Sequence, residues 1–209
     1  MLTEHTALLR ALSALLVYPD ADLQAALPEI DAALRASPAL HEAERQALMP
    51  LLDALAQDEL LDSQMRYVDL FDHGRSTSLN LFEHVYGDSR ARGEAMLALR
   101  ERYAGVGLAQ ADYQLPDYLP LMLEYLSCSE PDETVALLGE CAHVLRRLGA
   151  ALRHRQSAYA AIIAALLQLA GQAPFEDGPT VVPREDIDRE WEERPAFENS
   201  HEVIASGDA

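Results

Sequence analysis

The chain has 209 residues, 49% of them apolar, which is enough to bury a core and ordinary for a globular protein. Its charge is not ordinary: 16 basic residues, all arginine, stand against 35 acidic ones, for a net charge of −19. Such a surface repels phosphate backbones and anionic lipid, which argues against nucleic-acid binding and direct membrane insertion. It attracts basic peptides, or simply keeps the protein soluble.

Helical periodicity runs through the chain. Residues 3–17 place Leu8, Leu9, Leu12, Leu15 and Leu16 on one face, with Thr3 as the expected cap and Tyr18-Pro19 as the stop. Asp20 caps a second helix carrying Leu23, Leu27, Ile30 and Leu34, in which Pro28 predicts a bend or break. Ser37-Pro38 reads as a cap and first-turn proline for a third helix through Leu55, interrupted at Pro50. Asp58 is the expected cap of the fourth. There Leu61, Gln64, Met65, Val68 and Phe71 form the predicted core stripe, and Tyr67 is offset toward a groove.

A polar loop, Arg75 to Ser78, follows. A short helix is expected over 80–86, ending at Gly87, and a longer one from Asp88 or Ser89 with Arg92, Ala95, Met96, Leu99 and Tyr103 on one face. Gly93 inside it signals either a close backbone approach or tolerance. Asp117 is the expected N-cap of a helix in which Pro120 is the third residue and Leu119, Met122, Leu123 and Leu126 face the core. One segment from Pro131 through Leu148, an arginine-rich junction, and a last helix from Gln156 to Leu169 complete the pattern. The reading is an all-α single-domain helical bundle over 1–170.

Residues 171–209 carry 11 acidic residues against three arginines, with prolines at 174, 179, 183 and 195. This composition suits a solvated acidic tail, whose removal from 174 onward is expected to leave folding intact. A short helix docking through Trp191 is the alternative. Cys128 and Cys141 are isolated, so neither a disulfide framework nor a zinc site is expected. The start Met1-Leu2-Thr3-Glu4-His5 does not read as a signal peptide, and no stretch is long and apolar enough to span a bilayer, so a cytoplasmic location is expected.

Chemistry-bearing motifs are few. His73 and His84 lie near Asp72, Glu83 and Asp88, but at spacings that match no metal-ligand pattern, and no cofactor or metal is expected. Ser76, Ser78 and His73 share a polar loop, the weak basis for a hydrolase alternative. Arg90 and Arg92 can pair with Asp88 or Glu94.

One stretch carries a resemblance. Tyr67-Val68-Asp69-Leu70-Phe71, His84, Gly87-Asp88-Ser89-Arg90-Ala91-Arg92-Gly93-Glu94-Ala95-Met96 and Leu115-Pro116-Asp117-Tyr118-Leu119-Pro120 with Leu123-Glu124 occur in order over about 60 residues. This resembles the assembly chaperones of respiratory nitrate reductase, the delta-subunit or NarJ type, within the TorD-like group of maturation chaperones for molybdenum enzymes. Tyr67-x-x-Leu70-Phe71 matches the aromatic-x-x-Leu-Phe signature of the group. Pro116-Asp117-Tyr118 stands for its Pro-x-Asp-His signature, with Tyr in place of His, which favours the nitrate reductase branch. Trp191-Glu192-Glu193 looks like the tail of some members.

The resemblance implies an all-helical cytoplasmic protein that is not part of the mature reductase, and no enzyme activity is expected. Such proteins bind the apo form of the catalytic alpha subunit, including its N-terminal segment. They keep it competent for molybdenum cofactor insertion and delay membrane docking. Molybdenum cofactor biosynthesis proteins are further partners to expect. A different molybdenum oxidoreductase as client is the alternative within the group. The candidate client-binding residues are Tyr67, Phe71, His73, Arg75, His84, Arg90, Asp117, Tyr118, Leu119 and Glu124. Phe71 also reads as packing and Asp117 as a cap, whereas Tyr118 has no evident structural duty.

Overall fold

The computed structural model describes residues 2–85, 90–108, 114–173 and 175. Among these the fold is all-α, as the periodicity predicts. The helices are α1 (Leu2–Ala14), α2 (Ala21–Ala36), α3 (Glu42–Gln57), α4 (Leu60–Phe71), α5 (Arg90–Gly105), α6 (Leu119–Ser127), α7 (Pro131–Glu140), α8 (Ala142–His154) and α9 (Ala160–Leu169), with short 3-10 turns at Arg75–Thr77 and Leu81–His84.

α1 and α6 form one centre of the bundle and α8 and α9 the other. The leucine face of α1 is buried as expected. Two hydroxyls tie it to α6: Thr6 donates to Ser127 O and Ser13 to Pro120 O, each at 2.9 Å. The Ser127 carbonyl lies at the C-terminal end of α6, where no donor of its own helix reaches it, while Pro120 O in the first turn takes Ser13 as an added donor. α6 buries Leu119, Met122, Leu123 and Leu126 together, the face expected for it.

Several local expectations are corrected. Asp20 does cap α2, accepting Leu23 N–H at 2.7 Å. Pro28 and Pro50 break nothing: α2 and α3 run through them. Both face solvent, where the carbonyl one turn earlier can bond to water. Ser37 is buried at the C-terminus of α2, and α3 starts only at Glu42. Asp58 closes α3 and pairs with Arg66, while Glu59 precedes α4. Thr3 lies inside α1. The segment from Pro131 divides at Cys141, two residues beyond Gly139, which holds a helix less firmly than other residues. Gly93 has open space where a β-carbon would be, so tolerance explains it.

The arginine-rich junction is a set of clamps on main-chain carbonyls. Arg147 donates to His84 O at 3.1 Å and Arg155 to Asp69 O at 3.2 Å. Arg146 donates to Ala173 O at 3.3 Å, and Arg153 to Phe175 O at 3.4 Å with its guanidinium 4.2 Å from the Phe175 ring centre. Phe175 is buried against α8, so packing continues past residue 170. The expectation that 174–209 can be removed without effect is corrected at that residue. Trp191, the basis of the docked-helix alternative, lies outside the described residues.

Candidate functional site

The two motif segments of the central stretch meet. Leu81 N–H bonds to Asp117 O at 3.0 Å and Leu119 N–H to Leu79 O at 2.9 Å, an isolated antiparallel bridge between Asn80 and Tyr118. Asp117 is wholly buried. It does not cap α6, whose first residues are Leu119 and Pro120. Its Oδ2 accepts Phe82 N–H at 2.9 Å and so caps the Leu81–His84 turn from across the bridge. Oδ1 is buried and has no hydrogen-bond partner among the described residues. Burial therefore raises the Asp117 pKa, against the pull of the Phe82 N–H and the Arg92 charge.

Polar groups around the bridge hold one another. Ser78 donates to Glu83 at 2.7 Å, and Arg92 lies 3.7 Å from the same carboxylate. His84 Nε2 bonds to Ser78 O at 2.9 Å, and burial lowers the pKa of its ring. His84 thus fastens the loop to itself. Ser78, one of the hydrolase candidates, is engaged with a carboxylate rather than a histidine.

The second part of the site is aromatic. Tyr67 is only 5% exposed, so the expectation that it faces a groove is corrected. Its hydroxyl donates to Leu16 O at 2.8 Å, and its ring meets Tyr18, Phe71 and Tyr159 at centroid distances of 5.7, 4.7 and 6.2 Å. Tyr118 lies beside Tyr67, and after burial it is the next contribution to the raised Tyr67 pKa. Burial is the main reason the Tyr118 pKa is raised, with the Asp72 and Glu124 carboxylates adding to it.

Tyr67 thus supports a surface rather than lining it. Above it Tyr18 is 48% exposed, and on the outer face of α4 Leu61 and Met65 are 65% and 62% exposed. Gln64, between them, donates to Pro19 O at 2.8 Å and ties this face of α4 to the Tyr18 turn. Of the predicted stripe of α4, Phe71 is buried and Gln64 and Val68 are half-buried, but Leu61 and Met65 face outward; Ser63, Tyr67, Leu70 and Phe71 are the buried side. Periodicity missed Tyr18, Leu61 and Met65 as surface residues. An aromatic placed between the last turn of α1 and a proline was the available signal for Tyr18.

The remaining candidates divide by exposure. Phe71 is buried as packing, and Leu119 is buried at the start of α6. His73 and Arg75 are exposed in the connection after α4, and Glu124 is exposed on α6. Arg90 opens α5, and its side chain lies outside the described residues. Among the described residues no group of three or more His, Cys, Asp or Glu could hold a metal ion, and no helix is long and apolar enough to cross a membrane.

The sequence model of the nitrate reductase delta subunit family matches residues 19–165. The chain belongs to this family. It is similar to the nitrate reductase molybdenum cofactor assembly chaperone NarJ of Escherichia coli strain K12, 44% identical over 165 residues, which are 79% of this chain and 70% of that one. In Bacillus subtilis strain 168, a protein named a probable chaperone of the same kind is 30% identical over 79% of this chain and 89% of its own. A crystal structure described as a redox enzyme maturation protein of Archaeoglobus fulgidus superposes with a TM-score of 0.56 at 20% identity, covering 80% of this chain and 94% of the other. That likeness shows the fold. The match begins just after Tyr18 and includes α4 and the bridge between Asn80 and Tyr118.

Proposed function

We propose that this protein is an assembly chaperone of respiratory nitrate reductase. It binds the catalytic alpha subunit in its apo form, through contacts that include the N-terminal segment. It keeps that subunit competent for molybdenum cofactor insertion and holds it from the membrane until then. The names of the relatives support the chaperone class. The observation that carries the reading is the exposed apolar surface of Tyr18, Leu61 and Met65, beside half-buried Tyr118 and supported from beneath by Tyr67.

A chaperone of this kind needs a surface that takes up an apolar segment and releases it. Exposed apolar side chains on a rigid helix meet that need, because their burial on binding supplies the driving force without reorganising the core. The exposed acidic residues Asp62, Asp69, Asp72 and Glu124 flank this part of the molecule. They favour a client segment that is amphipathic and basic, and they speed its approach. On this reading the protein works in the cytoplasm, with cofactor biosynthesis proteins as secondary partners.

The test is calorimetric titration with a peptide of the alpha-subunit N-terminus, together with capture of the full apo subunit. Saturable binding that weakens as salt is raised is the expected result. Failure to bind either form of the subunit would overturn the proposal.

A further inference from the structure

Helix α8 ends at His154, and the chain turns through Gln156 toward α9. Gln156 N–H bonds to Arg153 O at 2.8 Å and Ser157 N–H to Leu152 O at 3.0 Å. This pair of bonds closes a helix through one left-handed residue, and Gln156 fills that position with φ of 54°. Glycine takes this conformation without strain, and glutamine does not. No other described non-glycine residue has a positive φ. A strained residue where glycine fits better points to a use for its side chain.

Gln156 lines an open cavity of about 640 Å³ between α3, α4 and this turn, on the flank of α4 away from Tyr18 and Met65. The volume is that of a small-molecule site. Leu55 and Leu70 give it an apolar wall, and Tyr159 lies beside them. Burial pushes the Tyr159 hydroxyl up to about 12, and the nearby Arg66 charge opposes the rise. Arg66 and Arg155 both line the cavity. Arg66 is paired with Asp58, whereas Arg155 donates to the neutral carbonyl of Asp69 and has no carboxylate paired with it among the described residues. The Asp69 residue lines the cavity as well and opposes a second negative charge.

We propose that this cavity binds a small monocarboxylate with an apolar or aromatic body, its head group held by Arg155 and the Gln156 amide, with Arg66 at the rim. A carboxylate accepts two parallel N–H bonds from one guanidinium, and an amide N–H₂ can add a third. The apolar body lies against Leu55 and Leu70. The −19 chain repels anions at long range, so the site depends on short-range bonds and discriminates against dianions. This site is separate from the client surface and does not depend on it.

The experiment follows amide chemical shifts of the full-length protein during titration with 4-phenylbutyrate, its neutral amide and phenyl phosphate. A second pair, acetyl-Leu-Phe as free acid and as amide, tells a peptide C-terminus from a small acid. The expected result is saturable binding of one or both acids, with shifts at residues 155–159. Both neutral amides and phenyl phosphate bind at least roughly 10-fold more weakly, as loss of a charge-assisted bond requires. Arg155→Met should weaken acid binding by a similar factor. Gln156→Gly should raise the melting temperature yet weaken the acid several-fold. Equal binding of the amides, tighter binding of phenyl phosphate, unchanged affinity in folded Gln156→Gly, or no binding of either acid at about 10 mM would each overturn the proposal.

Discussion

Asp117 Oδ2 accepts the N–H of Phe82 at 2.9 Å, joining segments 35 residues apart. The cap is made by a fully buried carboxyl whose pKa is raised above the ordinary aspartate value. The folded state therefore holds this proton to higher pH than the unfolded chain. The contribution of Asp117 to stability is full below the ordinary aspartate range and is lost as pH rises through the raised folded value. Asp117→Asn keeps an acceptor for Phe82 without the charge. Relative to wild type it should remove that pH-dependent loss and be at least as stable at neutral pH. Asp117→Ala, which removes the cap, should cost about 1–2 kcal/mol. Urea midpoints of the three proteins across the acidic range check both statements.

Tyr118 packs against the core as a partly buried side chain and offers part of its ring to the surface. Tyr118→Ala should weaken client-peptide binding by about 1–3 kcal/mol, or roughly 5- to 150-fold. Its stability should fall by less than the ~3–5 kcal/mol of a deleted core aromatic. Tyr118→Phe, which keeps the ring, should keep the affinity and change stability by no more than about 1 kcal/mol. Calorimetry and melting curves on both variants separate contact from support. Unchanged affinity in folded Tyr118→Ala would remove Tyr118 from the client surface.

Leu61 and Met65 are more than half exposed. Leu61→Glu with Met65→Glu should change stability by no more than about 0.5 kcal/mol per site. The same pair should weaken client binding at least roughly 10-fold, because it puts charge where apolar contact is needed. A strong drop in the urea midpoint would show instead that these side chains support the fold.

The ring of Phe175 occupies the space that a β-carbon on Gly149 would need, with Cε1 2.5 Å from that position. Gly149→Ala should therefore displace the ring and cost about 1–3 kcal/mol. Phe175→Ala should destabilise as well, and the double variant should lose less than the sum, since both changes remove one contact. Truncation before Phe175 should lower the melting temperature by a few degrees, on the scale of about 2–4 °C per kcal/mol for a chain of this size. Truncation just after Phe175 tests the remaining tail by itself.

The family and the all-α fold were legible in the order of motifs and in the leucine spacing of α1, α2 and α6. Each of those helices has one dominant apolar face, so periodicity alone identifies the buried side. α4 does not. Leu61, Met65 and Val68 make one apolar face and Tyr67, Leu70 and Phe71 another, and both have helical spacing. A helix with two apolar faces is recognised from sequence, but which face is covered depends on what packs against it. Here Leu16, Tyr18 and Tyr159 arrive from the turn after α1 and the turn before α9 and cover the tyrosine side.

Asp117 shows the same division. Its residue type and its place before a helix predict a cap, because short polar side chains reach nearby backbone N–H groups. That it caps the Leu81–His84 turn instead of α6 follows from the Asn80–Tyr118 bridge, a pairing of distant segments with no local signature. Local spacing determined the helices, their apolar content and the acidic surface, since these depend on neighbours within a turn or two. Burial of Tyr67, exposure of Met65, the seating of Phe175 on Gly149 and the strained turn at Gln156 were decided only by tertiary packing, because each is set by atoms brought from elsewhere in the chain.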